Sequence, residues 1–310
     1  MRLKLWVYIL AASAAAMSGC AASQPSTTGQ PGMPPLRAAG AHATPARSWM
    51  LPNAKKNSLL YVADFYGSEV LAYTFPGGQL AGTITGINSA QGMCTSKKSH
   101  GNWWVVATGS NQVFEFAHGG TTPIATINIS AGVPASCAVD AKTGNLAVTM
   151  IGNENVVVYA GGSGSGTTYT APFQPFFSSY DSKGNLFVDG SGQTPLAELP
   201  KGGSAFIPIS TNQTIIFSGG VQWDGRYLAV GDQDTSDVYR FSVSGSSATL
   251  VSTTALNGGS AGGFWIQKKR LITSESGDVD VWKYPAGGSP IKQIAGGFYG
   301  PLNMTVSTAK

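Results

Sequence analysis

Apolar and polar positions alternate at short intervals along most of this chain. In Leu59–Ile84 an apolar run, Leu59–Ala63, ends in Asp64 and a polar turn at Gly67-Ser68. A second alternating run, Val70–Phe75, leads into the turn Pro76-Gly77-Gly78 and then a third apolar run. Runs of this length separated by turn residues predict short antiparallel strands, and three such strands cannot close a core of their own.

The same plan recurs. Runs equivalent to Leu59–Ala63 are Trp103–Ala107, Asn145–Thr149, Asn185–Val188, Arg226–Val230 and Lys269–Thr273, with starts 44, 42, 40, 41 and 43 residues apart. A Gly-Gly turn follows most of them, at 77–78, 119–120, 161–162, 202–203 and 287–288, with Ser244-Gly245 in the fifth unit. Another short strand precedes each run, ending in a turn such as Asp140-Ala-Lys-Thr-Gly or Asp181-Ser-Lys-Gly. A period of about 40–45 residues with four short strands is the signature of a propeller blade. Six units predict an all-β fold, a six-bladed β-propeller over residues 57–310. The chain enters at the second strand of blade 1, so Pro301–Val306 is expected to supply the missing innermost strand and close that blade, removing free edges.

The two ends of the chain differ in composition. Arg2 and Lys4 precede an apolar stretch, Leu5–Ala16, too short to span a bilayer, and Met17-Ser18-Gly19-Cys20 follows. This resembles a bacterial lipobox, which implies a signal peptide over 1–20, lipidation of Cys20 and a membrane anchor. Ala21 after the cysteine resembles outer-membrane sorting, so the expected location is extracytoplasmic, facing the periplasm or the surface. An ordinary secretory signal is the alternative. Residues 21–56 contain no acid and six prolines, and predict a disordered tether that Trp49-Met50-Leu51 brings onto the domain.

Charge changes meaning once the ends are set aside. The formal +4 counts 19 basic residues, six of which precede residue 57; the remainder has 13 basic against 15 acidic residues, a net of −2. Nucleic-acid binding therefore has no electrostatic footprint. The basic tether suits anionic lipid headgroups.

The units YVADFYGSEVLAYTFPGG and NLFVDGSGQTPLAELPKGG, with the pre-strand turns at Asp140 and Asp181, resemble NHL-type repeats and the related SMP-30/gluconolactonase-like six-bladed propellers. The resemblance covers about residues 57–307. It implies either a non-catalytic binding scaffold or a lactonase that works through a central divalent metal held by carboxylates and amides.

Propeller bookkeeping places most acids on one face, here the top. Asp64, Asp189, Asp232 and Glu275 fall at matching ends of the recurring run, with Asp234 nearby and Tyr66 among several aromatics. The functional reading is a top-face pocket for a polar ligand or for Ca or Mg, which oxygen-only donors suit better than zinc. The plainer reading is turn acids bonding their own backbone. No cofactor is firmly implied. The three histidines, His42, His100 and His118, lie away from these acids, which argues against a Ser-His-Asp triad. Cys94 and Cys137 fall at matching positions on innermost strands of neighbouring blades, so a disulfide and two buried thiols both remain open. The leading expectation is a lipid-anchored, extracytoplasmic, monomeric module that binds a protein or small polar ligand. Its competitor is a divalent-metal-dependent lactonase on the acidic face.

Overall fold

The recurring runs become strands buried on both sides, which is why they read as continuously apolar rather than alternating. In the computed structural model, residues 47–95, 101–192, 195–274, 277–295 and 297–309 are described. Leu59–Asp64, Trp103–Ala107, Leu146–Ile151, Leu186–Gly190 and Leu228–Asp232 are buried along their whole lengths. Each is the second strand of a four-stranded antiparallel blade, and the sixth blade is built around Arg270–Ser274.

The innermost strands are Pro301–Ser307 in blade 1, then Ala90–Thr95, Val133–Val139, Pro175–Tyr180, Ser218–Trp223 and Phe264–Gln267. The core is divided into six apolar clusters, one between each pair of neighbouring blades. Leu59, Tyr61 and Ala63 pack with Trp103 and Val105 of blade 2, while Leu60 and Val62 pack with Ile272 and Val281 of blade 6. The ring is therefore a closed six-bladed β-propeller, and the chain's first and last strands meet in one sheet.

That closure has the expected form. Pro301–Ser307 runs antiparallel to Leu59–Asp64, from Leu59 opposite Ser307 to Asp64 opposite Pro301. The seam is pinned on its lower side by blade 2. His118 bonds the Ser307 hydroxyl at 2.6 Å and the Asn57 carbonyl at 3.0 Å, and the Gly119 amide donates to the Tyr61 hydroxyl at 2.8 Å.

The domain begins earlier than residue 57, which corrects the tether's expected end at 56. Trp49–Met50 pairs with Leu80–Thr85 as a fifth strand of blade 1, and Ala54–Lys56 forms a short 3-10 turn with Ala54 buried. The reason is local: Gly82 leaves room for Met50, whose sulfur lies 2.6 Å from where a Cβ would stand. Blade 5 also gains a strand, Ser210–Thr211, parallel to Ser247–Ala255.

Candidate functional site

The top of the ring, where second strands end and innermost strands begin, carries a repeated backbone exchange. The residue just before an innermost strand accepts a bond from the residue after the second strand's last position. Phe65 N donates to Gly300 O, Thr108 N to Ser89 O, Ser191 N to Gln174 O and Gln233 N to Phe217 O. These pairs identify Asp64, Ala107, Gly190 and Asp232 as equivalent positions.

At two of them the carboxylate fastens the loop further. Asp64 accepts from the amides of Tyr299 and Gly300, both at 2.7 Å, and of Gly67 at 3.2 Å. Asp232 accepts from Ile216 at 2.9 Å, Phe217 at 3.2 Å and Asp234 at 3.1 Å. Both side chains are buried. A carboxylate receiving several amides in a low-dielectric site makes short, charge-assisted bonds. Their lone pairs are spent on the protein's own loops.

Asp189 does not stand at the matching position, and this corrects the sequence expectation. Gly190 does, and there the Gln174 loop collapses onto the strand: a Cβ on Gly190 would lie 2.0 Å from the Gln174 carbonyl. Asp189 is one residue earlier, on the side of the blade shared by Phe187 and blade 5, whereas Leu186 and Val188 face blade 3. It accepts a bond from Phe177 N at 2.8 Å, and its second oxygen has no partner among the described residues. Burial raises its pKa well above the ordinary carboxylate range, against the Phe177 bond that lowers it.

The remaining expected residues distribute as follows. Asp234 is exposed beside Asp232. Tyr66 is 66 % exposed and lies against Gly300, where a Cβ would come within 2.4 Å of its ring. Cys20 and Glu275 lie outside the described residues. Among the described residues no group of three or more His, Cys, Asp or Glu side chains could hold a metal ion, because the top-face acids bond separate loops rather than converge. Near Asp64, burial and the neighbouring carboxylate raise the pKa of Glu69.

Two exposed apolar features stand on these loops; Tyr299 is among the aromatics that the sequence puts on the top face, whereas Ile216 and Phe217 are not. Ile216 and Phe217, 61 % and 40 % exposed, sit on the loop that Asp232 holds, and Phe217 meets Phe176 edge-on at 6.4 Å. Tyr299, 77 % exposed, sits on the loop that Asp64 holds, beside the edge-on pair Phe65–Tyr66 at 5.3 Å. For Ile216 and Phe217 the available signal is position, just ahead of the innermost strand Ser218–Trp223. His118, away from these acids, is half-buried in the seam, and burial lowers its pKa. Cys94 and Cys137 are joined by a disulfide across the wall between blades 2 and 3, with Cα atoms 5.7 Å apart.

No protein-family model and no curated protein sequence matches this chain. Among solved structures, the chain is similar to one in the crystal structure of a nidogen/laminin complex. That match has TM-score 0.64 and 12 % identity, and covers 82 % of this chain and all of the other. It is also similar to a functionally unknown protein from Desulfotomaculum acetoxidans DSM 771, with TM-score 0.53 and 13 % identity, over 76 % of this chain and 79 % of the other. The likeness is one of fold. It carries the six-bladed architecture and leaves activity to be argued from the site.

Proposed function

We propose that this chain is an extracytoplasmic interaction module that docks a protein partner on its top face. One observation carries the reading: two buried carboxylates hold rigid the loops that present Tyr299 and Ile216-Phe217 to solvent. Large apolar side chains are ordinarily withdrawn from water, and aromatics fixed in place lose little entropy when a partner covers them. Turn acids that served only their own hairpins would not need to position exposed rings.

Lipidation at Cys20, with the tether as spacer, fits the same reading. A domain held off a bilayer can present its top face to envelope proteins. The Cys94–Cys137 disulfide supports an oxidising compartment. Replacing Cys20 by Ala should move the protein from the membrane fraction to the soluble one, and unchanged membrane retention would overturn the anchor. The NHL-like turn and strand repeat supports a scaffold reading.

The test is a comparison of captured partners. The tethered domain, cross-linked in its host envelope, is compared with a Tyr66→Ala/Tyr299→Ala double variant and with Phe217→Ala. Loss of a specific cross-linked protein in these variants, at an unchanged melting temperature, is the expected result. A partner retained equally by all three proteins would place the interface elsewhere.

A further inference from the structure

The cleft on the lower side, between blades 6 and 1, combines an apolar floor with cations that meet no acid among the described residues. It has a volume of about 220 Å³ and is floored by Phe75, Val281, Ile291 and Ile294, with Arg270 and Lys292 at its edge. Strand register explains why the charges collect there. Arg270 lies directly opposite Lys283, and Lys292 lies opposite Val281, two positions from Lys283 on the same face. That face packs on blade 1 through Ile272, Val279 and Val281. Three cations therefore share one face of the blade, two of them lining the cleft, and like charges directly opposed across a ladder are destabilising.

Nothing described nearby neutralises them. Arg240–Asp224, in blade 5, is the ion pair found among the described residues. Asp280 alternates with Val279 and Val281 on its strand and so faces blade 5, and Asp278 lies at the strand's upper end. The blade 1 wall offers Phe75, Tyr73 and Leu71, while its acids, Asp64 and Glu69, are at the top. Lys292 reaches the Pro76 carbonyl at 3.3 Å and also the Gly77 carbonyl, which fixes its amine at the cleft edge. The Arg270 guanidinium sits 6.0 Å from the centre of the Phe75 ring.

We propose that this cleft binds a small carboxylate with an apolar body, such as a single aromatic ring on a short chain. Arg270 receives the carboxylate in its planar fork, Lys292 adds a second charge, and the ring lies against Phe75, Val281 and Ile294. The volume is below that of pockets for drug-sized ligands, which limits the body to about one ring. The site is on the opposite side from the proposed docking face and does not depend on it.

Phenylpropionate, titrated into the full mature chain by NMR at millimolar concentration, tests the proposal. Shifts should concentrate on residues of this cleft, and phenylpropionamide, the same shape without the charge, should bind at least about tenfold more weakly. Arg270→Gln should weaken the acid by a similar factor without changing its weak affinity for the amide. Lys292→Gln should weaken it less, and Lys142→Gln, on a distant lower turn, should leave it unchanged. The acid and amide comparison uses the native chain, so it decides even if a variant misfolds. Equal binding of acid and amide, shifts elsewhere on the ring, or no shifts at all would each overturn the proposal.

Discussion

Asp232 and Asp189 are the same residue type near the same end of equivalent strands in neighbouring blades, yet the fold uses them oppositely. Asp232 receives three amides and holds a loop that carries Ile216 and Phe217 into solvent. Asp189 receives one, leaves an oxygen unpartnered among the described residues, and has its pKa raised by burial. One residue of register separates the two outcomes, because a strand's side chains change face at every step. In blade 4 a glycine took the clamping position, and the loop closed directly on backbone. A carboxylate in a propeller is thus a fastener or a buried liability according to parity alone, and its presence near a strand end does not mark a ligand site.

Removing the fasteners breaks this comparison most sharply. Asp64→Ala leaves the amides of Tyr299, Gly300 and Gly67 without their acceptor at the ring's seam. Bonds to a charged acceptor contribute about 1.5–3 kcal/mol each and do not add fully, so the expected loss is about 3–5 kcal/mol. At 2–4 °C per kcal/mol for a domain near this size, the melting temperature should fall by roughly 10 °C. Asp232→Ala removes as many bonds but should cost less, about 2–3 kcal/mol, because its bonds are longer, at 2.9, 3.2 and 3.1 Å against two of 2.7 Å at Asp64. Thermal unfolding of both variants measures the difference. Equal, small shifts would mean that neither carboxylate fastens anything.

The fold was legible in the sequence because each blade repeats one turn chemistry, from the Asp140 and Asp181 turns below to the glycine pairs between outer strands. The missing strand at Leu59 and the spare one at Pro301 followed from counting. The face of each residue on the second strands was not legible. Leu59–Asp64 and Leu186–Gly190 are buried on both sides, so their apolar pattern carries no period of two from which to read parity. Asp189 was therefore placed with Asp64 and Asp232. Ile216 and Phe217 carry no such signal, because 209–217 belongs to an irregular passage between blades, where the repeat gives no register. The seam role of His118 depends on a contact with Ser307 across 189 residues of chain, which no local pattern encodes.

Asp189→Asn sharpens the comparison furthest, because its sign is opposite to that of the fasteners. Asn keeps an oxygen for the Phe177 amide and cannot ionise. Asp189 has a folded pKa above its unfolded value, so between those two values the unfolded chain has released a proton that the native chain retains. Native stability from this group is then fully present below the unfolded pKa and is lost as pH rises through the folded one, at up to about 1.4 kcal/mol per pH unit. An ordinary clamped carboxylate would behave in reverse. His118, whose pKa is lowered by burial, adds stability that fades as pH falls below its unfolded value, but it is common to both chains and cancels in their difference. Denaturant unfolding of wild type and Asp189→Asn across acid to neutral pH should show the variant gaining on the wild type as pH rises. Parallel profiles would show that burial does not raise the Asp189 pKa, and that parity does not make it a liability.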